Sequence, residues 1–196
     1  MSTPLRLAVI QGSTRDGALG PTVANWLLAR AAARPEFTTD LIDLAETPLP
    51  TVFPQLGQAP ARAGDLDLLA AVSPRLAAAD AFVVVTPEYN HSFPASLKNA
   101  IDWHNSEWHA KPVAFVAYGG FSAGLRAVEH LRGVFAELHA VTIREAVGLQ
   151  GVWGQFDAEG RAVDPATDAA AEAMLDRLTW WAEALRAARA ATPYAA

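Results

Sequence analysis

The chain has 196 residues, 52% of them hydrophobic and 18% charged, with a formal net charge of −6. That supplies the core of one domain, excludes disorder as a class, and leaves no basic patch for a nucleic acid or an anionic membrane surface. Cysteine is absent, which excludes disulfides, thiol nucleophiles and Cys-based zinc or iron–sulfur sites, so any redox chemistry must come from a bound cofactor.

The start, Met1–Arg6, has no long apolar run behind it, and no segment approaches the roughly 18 apolar residues of a membrane span, so a soluble cytoplasmic protein is expected. Leu5–Gln11 is a short apolar run ending at Gly12 and predicts a strand buried on both faces. After Gly12–Gly20 a helix begins at Pro21, with Val23, Ala24, Leu27, Leu28 and Ala31 on one face and Pro35 closing it. Phe37–Leu44 is a second strand, and Thr47–Gly64, rich in Pro, Gly and Gln, a long loop. Asp65–Ala79 has helical spacing in Leu66, Leu69 and Leu76, and Pro74 predicts a kinked or two-piece helix.

Ala81–Val85 is the clearest strand, followed by the loop Thr86–Asn90. Pro94 opens a helix carrying Leu97, Ala100, Ile101 and His104 on one face. Val113–Ala117 is a strand, Gly124–Leu138 a helix and Val141–Val147 a last strand. Gly148–Asp164 reads as irregular, and Thr167–Ala191 as a long terminal helix. Strands alternating with helices predict a parallel sheet covered on both faces, in one domain over residues 1–196. Ligands of such sheets bind beyond the carboxyl ends of the strands, at the switch point. The loops after the first, third and fourth strands are therefore the expected functional ones.

Gly12–Gly20 joins a buried strand to a helix N-terminus, whose unpaired N–H groups and partial positive charge suit a phosphate. Ser13 and Thr14 add hydroxyl donors, Arg15 a forked charged pair, and the glycines a close backbone approach. A nucleoside triphosphate loop is excluded, because Ala18 and Leu19 stand where Lys and Ser/Thr are required; Gly12, Gly17 and Gly20 also miss the dinucleotide spacing. What remains is a cradle for one terminal phosphate, against the plain alternative of a βα turn with a surface arginine.

Pro87–Pro94 is stiffened by its two prolines. Tyr89 and Phe93 supply flat apolar surface and Asn90 supplies donors and acceptors, which suits a planar heteroaromatic ring with polar edges, isoalloxazine among them. Tyr118-Gly119-Gly120-Phe121-Ser122 lets backbone N–H groups face a ligand edge. Gly120–Gly124 also matches the G-x-S-x-G elbow of serine hydrolases. Its later histidines, His130 and His139, lie on or at the end of the helix that carries the chain away from Ser122, which makes that reading a distant alternative. His104–His109 lacks any metal-ligand spacing and reads as a solvated helix end, so no metal site is assigned. Trp103 and Trp108 are candidates for a subunit interface, and the Trp180-Trp181 pair for core or interface.

Taken together, Gly12-Ser13-Thr14-Arg15, Thr86-Pro87-Glu88-Tyr89-Asn90, Leu97–Trp103 and Tyr118-Gly119-Gly120 with Ser122 resemble, in order and spacing from about Leu5 to about Val147, the NADPH-dependent FMN reductase family. The resemblance implies a flavodoxin-like three-layer α/β/α sandwich with a five-stranded parallel sheet in the order 2-1-3-4-5. It implies FMN as cofactor and NAD(P)H as co-substrate. Ser13 and Arg15 are assigned to the FMN phosphate, and Thr14, with Gly20, Pro21 and Thr22 at the helix start, to the cofactor site. Pro87, Glu88, Tyr89 and Asn90 are assigned to the ring and ribityl chain, Gly119, Gly120 and Ser122 to the pyrimidine side, and Tyr118 to the cofactor site without a side. Lys98–Trp103 brace the third helix. One departure stands out: many members place a Ser or Asn soon after the arginine, whereas here Ala18, Leu19, Gly20 and Pro21 intervene before Thr22.

The expected activity is hydride transfer from NAD(P)H through FMN to a small acceptor: a quinone, azo compound, metal oxyanion or free flavin. No side chain is assigned as catalytic acid or base. The alternative is a flavin-binding electron carrier inert to nicotinamides. A homodimer or homotetramer is implied by the resemblance, with the flavin near the interface.

Overall fold

The computed structural model describes residues 3–54 and 64–195. Five strands, β1 (Leu5–Gln11), β2 (Phe37–Asp43), β3 (Ala81–Pro87), β4 (Pro112–Gly119) and β5 (Val141–Gln150), form one parallel sheet in the order β2-β1-β3-β4-β5. Helices α1 (Gly20–Ala32) and α5 (Pro165–Ala191) cover one face; α2 (Asp65–Ala78), α3 (Ala95–Asp102) and α4 (Leu125–Glu137) cover the other.

Strand periodicity builds both cores. In β1, Leu5, Leu7 and Val9 face α1 and α5, while Ala8 and Ile10 face the opposite layer. In β3, Val83 and Val85 alternate in the same way with Phe82 and Val84. Both side-chain sets are dry, so the strands read as continuous apolar runs and not as half-polar ones. From β1 the chain goes out to β2 through α1 on one face, then back past β1 to β3 through α2 on the other. The crevice at the strand ends between β1 and β3 is the consequence.

Several elements depart from the sequence expectation. The two-piece alternative at Pro74 does not hold: α2 is one helix from Asp65 to Ala78 with Pro74 inside it. Pro74 is exposed, so the carbonyl it leaves without an N–H partner meets water. The strand β5 runs on to Gln150, past the expected end at Val147, and carries a register shift against β4, with Val113 opposite Thr142 and Phe115 opposite Ala146. Bulges belong at sheet edges, where β5 lies. The Arg132 guanidinium takes up the Ile143 and Arg144 carbonyls at 2.7 and 3.0 Å. The terminal helix starts earlier than expected, at Pro165, because the Asp164 side chain accepts the Ala166 N–H at 2.8 Å as N-cap.

His104 is not on a solvated helix end. It lies just past α3, buried, with Nδ1 2.7 Å from the Ala100 carbonyl and Nε2 2.9 Å from the Ser73 hydroxyl. Trp108 is core and not interface: it packs edge-on against Phe82 and Phe135. Trp103 stacks on Phe53 and donates to the Pro50 carbonyl at 2.6 Å. Part of the expected loop Thr47–Gly64, residues 55–63, lies outside the described residues.

Candidate active site

A crevice of about 440 Å³ opens at the carboxyl end of the sheet, lined by Ser13 and Arg15–Leu19 after β1, Pro87–Tyr89 after β3, Tyr118–Gly120 after β4, and Val152 and Trp153 after β5. A larger groove of about 840 Å³ lies elsewhere, on the outer side of α1, where Arg30 and Arg34 line it. Those guanidinium groups are already paired with Asp168, Glu172, Asp176 and Glu36. Its charges are spent within the fold, so the crevice at the strand ends is the stronger candidate.

The floor of the crevice is held by a buried polar network. The Gln11 side-chain amide donates to the Ser13 carbonyl at 2.8 Å and to the Asp43 carboxylate at 3.0 Å. Because a carboxylate only accepts, this fixes the amide so that its oxygen faces the Ser13 N–H, 2.5 Å away. The Ser13 hydroxyl lies 2.9 Å from the Tyr89 hydroxyl. The first and third loops are therefore joined across the crevice by their side chains.

Tyr89 is aimed by its own turn. Tyr89 and Ser92 exchange backbone hydrogen bonds of 2.8 and 3.1 Å around Asn90 and His91, which have φ of 47° and 74°. Positive φ at both central residues marks a type I′ turn; Asn tolerates the left-handed region, but His91 is held there under strain. Glu88, one residue earlier, is nearly buried. It accepts from the Ser122 hydroxyl at 2.6 Å and from the Arg126 N–H at 3.2 Å, and pairs with the Arg126 guanidinium at 2.8 Å. Burial pushes the carboxyl pKa up, but the Ser122 hydrogen bond and the Arg126 charge outweigh it, and the group stays below its ordinary 4.5.

The Tyr118 hydroxyl is the unusual atom of the site. It is buried, and among the described residues no atom meets it with hydrogen-bond geometry. Burial raises its pKa well above the ordinary value; the Ser13 hydroxyl beside it, already engaged with the Tyr89 hydroxyl at 2.9 Å and not in hydrogen-bond geometry with Tyr118, pulls the other way and does not reverse this, so the phenol keeps its proton. It stands at the start of α1: a Cβ on Gly20, the first residue of that helix, falls 2.9 Å from it and 2.6 Å from the Gln11 side-chain oxygen. No side chain caps α1 and no acidic residue occupies its first turn. An uncapped helix start and a neutral buried donor without a partner meet there, and the exposed Arg15 lines the same crevice. Among the described residues Arg15 forms no ion pair. Such a place suits an anion.

Of the residues expected from sequence, the structure brings Ser13, Arg15, Pro87, Glu88, Tyr89, Tyr118, Gly119 and Gly120 to one crevice. Thr14, Pro21 and Asn90 are exposed and do not line it, and Thr22 faces the groove outside α1. Gly20 stands behind Tyr118, and Ser122 supports Glu88. Sequence reasoning missed Gln11 and Asp43, which lie at the carboxyl ends of β1 and β2, and Arg126, which lies one turn beyond Ser122. It also missed Trp153, whose only signal is a tryptophan flanked by Gly151 and Gly154 directly after a strand.

The serine-hydrolase alternative fails on this geometry. The Ser122 hydroxyl is given to Glu88 and not to a histidine. The strained positions of the turn are Ala123 and Gly124, with φ of 55° and 82°, whereas a nucleophile elbow puts the serine itself on the strained turn.

Residues 5–154 match the family of NADPH-dependent FMN reductases. An NAD(P)H-dependent FMN reductase of Schizosaccharomyces pombe is 34% identical over 83% of this chain and 80% of that protein. A 2-hydroxy-1,4-benzoquinone reductase of a Burkholderia species is 30% identical over 90% and 96%. Among solved structures, the flavoenzyme NAD(P)H:(acceptor) oxidoreductase FerB of Paracoccus denitrificans superposes with a TM-score of 0.73 at 25% identity, covering 91% of this chain and 97% of its own. Sequence and flavodoxin-like architecture agree, and the chain belongs to the NADPH-dependent FMN reductase family.

Proposed function

We propose that the crevice at the strand ends holds FMN, and that the enzyme uses it to carry electrons from NAD(P)H to a quinone-type acceptor. The observation that carries the site assignment is the buried Tyr118 hydroxyl, left without a partner beside the uncapped start of α1. A phosphate supplies the acceptor that this donor lacks. In this reading Ser13 and Arg15 would take the phosphate together with Tyr118, and Thr14 with Gly20, Pro21 and Thr22 of the first helical turn would shape that end. In the same reading Pro87, Tyr89 and the backbone of Gly119 and Gly120 would face the ring and ribityl chain, with Asn90 and Ser122 as supports.

The chemistry that FMN supplies when bound is acceptance of a hydride from NAD(P)H and return of the electrons to a second substrate. The chain's part is to position and to tune. Tyr118 stays neutral and keeps its proton as a donor. Glu88 stays ionised but is neutralised locally by Arg126, so its fixed carboxylate anchors the loop without placing an unpaired charge beside the crevice. No side chain lining the crevice is a histidine, which supports acceptor protons arriving from water.

The acceptor reading follows relatives whose names specify quinones. A homodimer or homotetramer is supported by the exposed Phe121 and Leu125 beside the crevice loops, and is tested by sedimentation. No described helix is long and apolar enough to cross a membrane, and a cytoplasmic setting is part of the proposal. The deciding experiment is titration of the apoprotein with FMN followed by anaerobic NADPH. A yellow complex that bleaches with NADPH and recovers with a quinone supports the function. A protein that takes up no FMN refutes it, and one that stays yellow under both nicotinamides is an electron carrier.

A further inference from the structure

Five of the six tryptophans are accounted for within the fold. Trp26 donates to Asp168 at 2.9 Å and meets Phe156 edge-on; Trp103 stacks on Phe53; Trp108 is core; Trp180 and Trp181 pack on each other. Trp153 alone, among the described residues, has neither an aromatic partner nor a hydrogen bond. It is 76% exposed, yet it lines the crevice.

Its exposure is not that of a loose loop. The turn Val152–Gly154 is tied to the fourth loop, since the Gly151 N–H donates to the Gly119 carbonyl at 2.9 Å. Gly151 takes a φ of 58° to make the corner, and the Gln155 side chain donates back to the Gln150 carbonyl at 2.9 Å. Val152 plugs into the core, which turns the next side chain outward to the crevice. A large flat apolar surface is thus presented on a fixed backbone at the crevice. Ligand sites use such anchors, because a rigid ring loses little entropy on stacking.

We infer that Trp153 is the specificity residue for the second substrate: it stacks on the ring of a flat aromatic acceptor at the crevice mouth, and so favours quinones over compact inorganic oxidants. This rests on the flavin reading above, and the test separates the two. A quinone is a suitable probe for this chain, since there is no cysteine for it to alkylate.

The experiment measures three quantities on wild-type, Trp153→Ala and Trp153→Phe protein. They are FMN affinity by titration of the apoprotein, the Kd of 1,4-naphthoquinone for the oxidised FMN-loaded enzyme, and kcat/KM with 1,4-naphthoquinone and with ferricyanide at fixed NADPH. FMN affinity is expected to stay within about twofold in both variants. Trp153→Ala should raise the naphthoquinone Kd and lower its kcat/KM by about fivefold to tenfold, the scale of one aromatic contact. Ferricyanide turnover should stay unchanged, and Trp153→Phe should retain most of the quinone affinity. An unchanged naphthoquinone Kd, a parallel fall in ferricyanide turnover, or lost FMN affinity in Trp153→Ala overturns the assignment. Failure of the wild type to take up FMN instead sinks the flavin reading itself.

Discussion

Replacing Tyr118 with Phe should move stability and affinity in opposite directions. The substitution removes one oxygen and leaves the ring, which is packed in the core with Val85 and Val116. In the ligand-free protein that oxygen is buried and unsatisfied, a state that costs about 1–3 kcal/mol. Tyr118→Phe apoprotein should therefore be more stable than wild type by about 1 kcal/mol. In the complex the same hydroxyl donates to a phosphate, and a hydrogen bond to a charged group contributes about 1.5–3 kcal/mol. FMN affinity should accordingly fall by about tenfold to a hundredfold. Urea unfolding of the apoproteins and calorimetric titration with FMN read the two effects separately. Because burial keeps the phenol protonated, the affinity loss should be constant across the neutral range. A variant that is less stable without ligand and binds FMN as tightly as wild type means that the hydroxyl serves the fold, and the phosphate assignment then fails.

Gly20→Ala places a Cβ 2.6 Å from the pinned Gln11 side-chain oxygen and 2.9 Å from the Tyr118 hydroxyl. One of them must move, and FMN affinity should drop at least about tenfold with little change in circular dichroism; retained affinity would show that neither atom is held where ligand binding needs it. Arg126→Ala leaves Glu88 buried with only the Ser122 hydroxyl and backbone for company. The expected loss, discounted because Arg126 is 43% exposed, is about 1–2 kcal/mol by denaturant titration. Since the folded pKa of Glu88 lies below its ordinary 4.5, its stabilisation is present above that value and is lost as pH falls through the folded pKa. Glu88→Gln should flatten the acid limb of the stability curve, and an unaltered limb counts against the Arg126 and Ser122 pairing. Lys111 is buried at the C-terminus of α2, donating to the Leu76 and Ala77 carbonyls at 3.1 and 2.9 Å, and burial lowers its pKa from 10.5 to about 8. The unfolded chain therefore binds the extra proton between those values, so stability rises with pH across that window by an upper limit of about 3 kcal/mol. Lys111→Met should remove that rise relative to wild type; parallel pH profiles for the two proteins would place the lysine in water.

Residue pattern alone was enough for the layers and for where a candidate site had to be sought. Runs such as Ala81–Val85 have no polar face, so they can only be strands buried on both sides, and alternation with amphipathic helices then leaves a doubly covered parallel sheet. Switch-point geometry pointed to the loops after β1, β3 and β4, and Ser13, Arg15, Glu88, Tyr89, Tyr118 and Gly119 do meet there. What the tertiary structure alone decided are relations between residues far apart in the chain. Glu88 finds Ser122 and Arg126, Gln11 finds Asp43, and the Tyr118 hydroxyl is left, among the described residues, without a partner in hydrogen-bond geometry at the start of α1. Local pattern carries no record of them, because hydrogen-bond partners across a sheet are set by strand order and register. Pro74 inside α2 and His104 in the core make the same point in reverse. A residue type fixes what a position can donate, accept or forbid; whether water, a helix end or a distant carboxylate answers it depends on the packing of the whole chain.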